Sequence, residues 1–440
     1  SLNFNRPTIS QPTGLGGMWG QMRMSPRDLA DVTGATYTYL VNGQSTADNF
    51  NMVFRPGERI RLRIINASAM TLFNVRLPDL PMTVVQADGL NVQPVETDEF
   101  QMGVAETYDV IVEPTEERPY AFVAESIDRS GQVVATLGPR PGMRAEAPAL
   151  RPAPILTMRD MGMSHDGMAG MGDMSGMDHE AGGKMGGMSH DTPMQHDMKG
   201  HDGMKGHDMG GMMKPDPDGP SVQPVKLEAD IKRGPGVANV AAMPMSRLDE
   251  PGIGLEDVGH RTLTYTQLRS LEMNKDHRPP GREIVVHLTS NMERYMWSFD
   301  GVQFAHIKEP IKFYKGERLR LTMINDTMMP HPIHLHGMFF DLVNGGDDHK
   351  PRKHTILVKP GEKLSVDISA EHVGDWAFHC HLLYHMHAGM MQVVSVLPYA
   401  NPNAPKAMDM KDMEMDGMDM EGMDHKTMDH SKMPGMGEMK

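Results

Sequence analysis

Phe54-Arg-Pro-Gly-Glu-Arg-Ile-Arg-Leu-Arg-Ile-Ile-Asn66 returns later in the chain as Phe313-Tyr-Lys-Gly-Glu-Arg-Leu-Arg-Leu-Thr-Met-Ile-Asn325. Tyr120-Ala-Phe122 returns as Trp376-Ala-Phe378 at nearly the same separation, so the chain contains an internal duplication. Short β-branched runs bounded by Gly, Pro and Asn read as strands. In the first copy they are Thr36 to Leu40, Arg59 to Ile65, Thr107 to Val112 and Ala121 to Val123. In the second they are Ile284 to Leu288, Arg318 to Ile324, Leu364 to Ile368 and Trp376 to Phe378. The expected fold class is all-β: tandem sandwiches, read as antiparallel. Extending the alignment sets Leu72, Val75 and Leu77 against His331, His334 and His336, and Val123, Ala124 and Glu125 against His379, Cys380 and His381. The first copy is thereby expected to be a ligand-free paralogue of the second.

Composition divides the rest of the 440 residues. There are 46 Met, more than the 12 Phe, 9 Tyr and 3 Trp together, a bias with a cause. Met158 to Met213 and Met408 to Met439 hold 26 of them among Gly, His, Asp and Lys. Such segments bury too little apolar surface to offset chain entropy and are expected to be disordered. The expected organisation is therefore 1–157, a Met-rich linker 158–214, 215–405, and a Met/Asp-rich tail 406–440. A single cysteine, Cys380, excludes an intrachain disulfide. The net charge of -15 without a Lys/Arg cluster argues against nucleic-acid binding, and no 18-residue apolar run is present for a membrane span. The chain opens on Ser1-Leu-Asn-Phe4 with no signal-like segment, which reads as a processed product or a fragment.

The chemistry is concentrated in His331-Pro-Ile-His334-Leu-His336-Gly337 and His379-Cys380-His381-Leu-Leu-Tyr-His385-Met-His-Ala-Gly-Met390. Side chains alternate faces along a strand, so His334 and His336 project together and His331 oppositely; His379 and His381 likewise share one face and Cys380 takes the other. Two metal sites on opposite sides are implied. His331, Cys380, His385 and Met390 supply two imidazoles, a thiolate and a weak thioether, the donor set of a blue-copper electron-transfer centre. His334, His336, His379 and His381 form a second cluster suited to copper. A lone Cys is ordinarily a small buried hydrophobe, but two flanking histidines with His385 and Met390 downstream reverse that reading. His349, His354, His372 and His387 lack paired spacing and are read as non-ligands. Met328, Met329, Met338 and Met386 lie beside ligands in sequence and serve equally well as core packing.

The two motifs resemble the C-terminal copper signatures of multicopper oxidases. Together with Met22-Arg-Met24-Ser-Pro-Arg-Asp-Leu-Ala-Asp31 and Thr36-Tyr-Thr-Tyr-Leu-Val-Asn-Gly43 they are similar in particular to periplasmic copper-resistance oxidases of the copper resistance protein A type. The resemblance implies cupredoxin-like Greek-key sandwiches. It implies type 1 copper at His331, Cys380, His385 and Met390, type 2 copper at His334, and the type 3 pair at His336, His379 and His381. The family completes its three-copper cluster with two further His-x-His pairs that this sequence does not contain, so the cluster is expected to be half liganded and the chain truncated. Residues 1–157 would then be the family's copper-free middle domain.

The resemblance implies a cuprous oxidase, with Cu(I) and O2 as substrates, Cys380, His379 and His381 carrying electrons to the cluster, and periplasmic copper-binding proteins as partners. Soft thioethers of the Met-rich segments would gather Cu(I). The competing expectation is a copper-sequestering or blue-copper electron-transfer protein with no oxygen chemistry.

Overall fold

A computed structural model describes residues 25–162 and 225–402. Two β-sandwiches account for most of them. In the first, a five-stranded sheet runs Asn51–Val53, Gln132–Gly138, Tyr120–Ser126, Phe73–Arg76, Glu99–Met102, facing a four-stranded sheet Ile60–Ile65, Thr107–Val112, Met82–Ala87, Leu90–Thr97. In the second, a five-stranded sheet runs Ile311–Tyr314, Met391–Leu397, Gly374–Cys380, His331–Leu335, Thr355–Val358. Its facing sheet has seven strands, among them Arg282–Asn291, Glu317–Asn325, Lys363–Ala370 and Phe340–Leu342 in that order. Phe54, Phe100 and Tyr108 fill the first core, and Phe313, Phe340 and Phe378 the second.

The duplicated stretch forms the same strand in both copies, and Ile60↔Val112 and Leu319↔Ile368 are corresponding antiparallel pairs. Three of the four sheets are mixed, and only the four-stranded one is purely antiparallel. Asn51–Val53 runs parallel to Gln132–Gly138, as Ile311–Tyr314 does to Met391–Leu397. Arg282–Asn291 also runs parallel to Glu317–Asn325. Chain that crosses between the sheets can re-enter beside a strand of the same direction, which alternation of residue types does not reveal.

Thr36 to Leu40, expected as a strand, is turn and loop. A strand needs a ladder partner, and among the described residues this segment has none, the isolated bridge Val41↔Gln44 lying just beyond it. Residues 158–162, expected within the linker, are folded: Arg159–Met161 form a turn of 3-10 helix with Met158 and Met161 buried. Thr157 donates from its backbone N–H and hydroxyl to Asp160, which also pairs with Arg247. The remainder of both Met-rich segments lies outside the described residues. Among the described residues no helix is long and apolar enough to cross a membrane.

The register also moves the expected alignment of the repeats by one residue. Asn66 Nδ2 donates to the Thr71 carbonyl and Asn325 Nδ2 to the Met329 carbonyl, bracing corresponding loops across five and four positions of sequence. The first loop is therefore one residue longer. Beyond it, Arg76↔Val123 matches His334↔His379, and Val75↔Ala124 matches Ile333↔Cys380. The counterparts of His331, His334 and His336 are Phe73, Arg76 and Pro78, rather than Leu72, Val75 and Leu77. None of the three is a copper ligand type, so the first sandwich lacks the equivalent donor set under the corrected alignment too.

Candidate metal centre

Strand alternation distributes the donors over two faces. His331 and His334 sit on His331–Leu335, which lies beside Gly374–Cys380 with Ile333 opposite Cys380 and His334 opposite His379. On the core side, Cys380 Sγ lies 3.5 Å from His331 Nδ1 and 4.0 Å from His385 Nδ1, and the two nitrogens are 3.3 Å apart. All three residues are fully buried. His385 reaches this group from a short helix, Leu383–His387, that starts as soon as the strand has ended. Met390 is also buried, its N–H donating to the His385 carbonyl and its carbonyl accepting from the Cys380 N–H.

The opposite face gathers His334, His336 and His379, whose ring nitrogens lie within 4.8 Å of one another. His336 Nε2 and His379 Nε2 are 3.2 Å apart. The His381 ring centroid is 5.3 Å from that of His379 and 5.6 Å from that of His334, at the margin of the same cluster. Gly337 follows His336 with φ at +74°, and a side chain there would strike the Trp376 indole, so glycine is required to turn the chain away from the cluster.

Each ring is oriented by a partner. Thr327 Oγ1 lies 2.7 Å from His331 Nε2, leaving Nδ1 directed at Cys380. His385 Nε2 donates to Asp31 Oδ2 at 2.8 Å, and the same oxygen accepts from the Tyr295 hydroxyl at 2.7 Å. Trp297 stacks on the His385 ring at 3.5 Å and shuts that side to water. His334 Nδ1 donates to the His354 carbonyl at 2.6 Å and His379 Nδ1 to the Cys380 carbonyl at 3.0 Å, which turns both Nε2 atoms into the cluster. Of the methionines near the ligands in sequence, Met328, Met329 and Met338 are core residues.

Burial keeps the imidazoles neutral and so ready to ligate. It lowers His331 well below the usual histidine value, His334 to about 4, and also His379, His381 and His385. Burial also raises the Cys380 thiol, which becomes a thiolate only when a cation displaces its proton. Asp31 behaves oppositely: burial would raise it, but the bonds from His385 and Tyr295 prevail and hold it below the usual carboxylate value. The donor set passes a test of fit. Metal–nitrogen and metal–sulfur bonds of about 2.0–2.3 Å place donors sharing one ion about 3.3–3.8 Å apart, close to the 3.3, 3.5 and 4.0 Å spacings of His331, Cys380 and His385.

The first sandwich braces this centre. Asp88 Oδ2 accepts from the backbone N–H groups of His354 and Thr355 at 3.0 and 3.2 Å, and lies 3.0 Å from Lys353 Nζ. Burial alone would lower Lys353, but the carboxylates of Asp88 and Glu106 outweigh it and keep the ammonium protonated. Sequence reasoning missed Asp31, Thr327, Trp297, Asp88 and the His354 carbonyl. Their signal is spatial: Asp31 and Asp88 lie hundreds of residues from what they hold. His387 and His372 are exposed, and His349 bonds the Ser270 carbonyl, away from both groups.

Tandem sandwiches with a buried two-histidine, one-cysteine group backed by a histidine cluster define a cupredoxin-like metalloprotein. Multicopper oxidase sequence profiles match residues 19–138 and 277–400. Copper resistance protein A of Escherichia coli is 47% identical over 426 residues, covering 90% of this chain and 67% of that protein. A copper resistance protein A homolog of Pseudomonas syringae pv. tomato is 49% identical over 384 residues, covering 86% and 61%. The laccase of Botrytis aclada superposes with a TM-score of 0.47 at 14% identity, over 79% of this chain and 53% of that one. The chain belongs to the multicopper oxidase family, in its copper resistance protein A group, and the family implies copper as the metal. It spans about two thirds of the length of these relatives.

Proposed function

We propose that this chain is part of a periplasmic cuprous oxidase of copper resistance. Copper held by His331, Cys380, His385 and Met390 would accept electrons from Cu(I), and Cys380 with its neighbours His379 and His381 would link that site to a copper cluster competent to reduce O2 to water. His334 would hold type 2 copper, and His336, His379 and His381 half of the type 3 ligands. The observation that carries this reading is the register of one strand pair: Cys380 faces one donor group, and its neighbour His379 faces the other. Copper, when bound, supplies the one-electron redox chemistry. The protein's part is to fix the donors, through Thr327, Asp31 and the His354 and Cys380 carbonyls, and to exclude water with Trp297 and the core.

A second reading, copper sequestration or electron transfer without oxygen chemistry, is favoured by two observations. The described residues bring four imidazoles plus the His354 ring to the cluster face, and the Met-rich segments offer soft donors for Cu(I). The test is the full chain loaded with copper. A blue charge-transfer band that vanishes in Cys380→Ser and bleaches with anaerobic Cu(I), and that returns in air with O2 uptake once polypeptide bearing additional histidine pairs is supplied, is expected of the oxidase. Bleaching with no O2 uptake, even after polypeptide bearing additional histidine pairs is supplied, would leave the carrier reading. A colourless copper-loaded protein would sink both.

A further inference from the structure

The brace that holds His331 occurs twice in this chain, and one addition separates the two copies. In the first sandwich, Ser68 donates from its N–H and hydroxyl to Asn66 Oδ1 at 3.1 and 2.7 Å. In the second, Thr327 donates in the same way to Asn325 Oδ1 at 2.9 and 2.8 Å. The brace is therefore a property of the duplicated fold. What it holds differs. With its hydroxyl hydrogen given to Asn325, Thr327 Oγ1 accepts from His331 Nε2 at 2.7 Å, whereas the first copy has Phe73 in place of His331. The residue inside the brace differs too: it is Ala67 in the first copy and Asp326 in the second.

Asp326 is 2% exposed and held at both backbone and side chain. Its N–H donates to the Leu288 carbonyl at 3.0 Å, and its own carbonyl accepts from Asn239 Nδ2 at 3.2 Å. Its carboxylate accepts from the Ala241 N–H and from His287 Nδ1, each at 2.8 Å. A carboxylate this deep persists only beside a compensating charge. His287, on the strand Arg282–Asn291, is placed to supply it. Its Nε2 lies 3.4 Å from Glu228 Oε1, and its backbone N–H donates to Asp300 Oδ1 at 2.8 Å. Burial opposes a charge on His287, but Asp326, with Glu228 and Asp300, prevails and raises the imidazole above the usual histidine value. Burial also raises Asp300, to about 6. Of the cations nearby, Lys226 pairs with Glu228 and Arg233 bonds Asn239, so neither displaces His287 from Asp326.

We propose that Asp326 and His287 are positioning residues of the type 1 site: as an ion pair they clamp the loop that begins at Asn325, fix the Thr327 hydroxyl, and so keep the His331 proton on Nε2 and Nδ1 bare toward Cys380. The inference rests on the reading of His331 as a type 1 ligand. A copy with no metal donor needs no such clamp, which accounts for Ala67. Only the charged imidazole both compensates Asp326 and donates to Glu228. The clamp is therefore complete below the ordinary histidine value and weakens as pH rises through the raised value of His287.

The test uses the full chain, metal-free and with nitrogen-labelled histidine, so that ring-nitrogen shifts report the ratio of the two neutral tautomers of His331, which burial keeps uncharged. At pH 7 the form protonated on Nε2 should outnumber the other about tenfold, the worth of one hydrogen bond. Thr327→Val should level that ratio. Asp326→Asn should lower it about threefold, and the double variant should do no more than Thr327→Val alone, because Asp326 acts through Thr327. Between pH 7 and 9, above the range of Asp300, the wild-type ratio should fall toward that of His287→Asn, which keeps a donor for Asp326 without its charge and should itself stay flat. Chelator competition should show Cu(II) affinity about tenfold weaker in Asp326→Asn. Lower stability in denaturant with tautomer ratio and affinity unchanged would make Asp326 a structural residue and overturn the proposal. Losses that multiply in the double variant, or a wild-type ratio flat with pH, would overturn it equally. If Asp326→Asn does not fold, His287→Asn carries the comparison at pH 7. A copper-loaded chain with no blue band would sink the type 1 reading instead, and the metal-free ratio would still decide the clamp.

Discussion

Removing the Asp31 carboxylate separates the scaffolding of the copper site from its electrostatics. Asp31 is 12% exposed at its side chain, and one of its oxygens accepts from both His385 Nε2 and the Tyr295 hydroxyl. In Asp31→Ala the Tyr295 hydroxyl, on a residue 39% exposed, can turn to water. The buried His385 N–H cannot, and an unsatisfied buried donor costs about 1–3 kcal/mol. The metal-free protein should lose roughly that stability. Because the ring is no longer held with Nδ1 toward Cys380, affinity for Cu(II) should fall about 10–100-fold, or about 1.4–2.7 kcal/mol. Asp31→Asn keeps an acceptor oxygen and removes only the charge. Stability and affinity should largely return, while the reduction potential rises, because a nearby negative charge that favours Cu(II) over Cu(I) is gone. Thermal unfolding of the apoprotein, chelator competition and redox titration of the blue band measure the three quantities. Unchanged affinity and stability in Asp31→Ala, or an Asn variant as damaged as the Ala variant, would refute the assignment of Asp31 as the group that positions His385.

Three other outcomes are expected. Asp88→Ala leaves the fully buried Lys353 without its nearest carboxylate and should cost about 3–5 kcal/mol; adding Lys353→Met should recover the part due to the unpaired ammonium but not the part due to the freed His354 and Thr355 N–H groups, and a double variant no more stable than Asp88→Ala in denaturant unfolding would place the damage elsewhere. Copper loading at pH 7 should release close to one proton from the His331–Cys380–His385 site, since burial raises the thiol, leaving it protonated, and lowers both histidines, leaving them neutral. Affinity at that site should therefore climb as pH rises through neutrality, by about tenfold per unit; calorimetry in buffers of different ionisation enthalpy counts the proton, and zero release would mean the thiol is already ionised. Met390→Leu should keep copper bound and raise its reduction potential by removing a weak axial donor, so that a lowered potential or lost metal at this site would exclude Met390 from that role.

Much of the donor set was legible in the sequence because strand periodicity is local. A period of two fixes that Cys380 and its histidine neighbours face opposite ways whatever surrounds them, and the repeat of Phe54 to Asn66 at Phe313 to Asn325 fixes that two sandwiches share one plan. Where the sequence misled, the deciding interactions were not local. Thr36 to Leu40 has the residue types of a strand but no ladder partner. The repeats slip by one residue because a loop braced by Asn66 is one residue longer than the loop braced by Asn325, a difference visible only in which carbonyls the amides reach. Met158 and Met161 have the composition of the linker, yet they are buried because a core lies within their reach. The orientation of the ligands belongs wholly to tertiary structure. Asp31, Asp88, Trp297 and the His354 carbonyl meet the donor rings only once the strands and the two sandwiches pack, since hydrogen bonds and ring stacking depend on distance in space, to which separation along the chain is no guide.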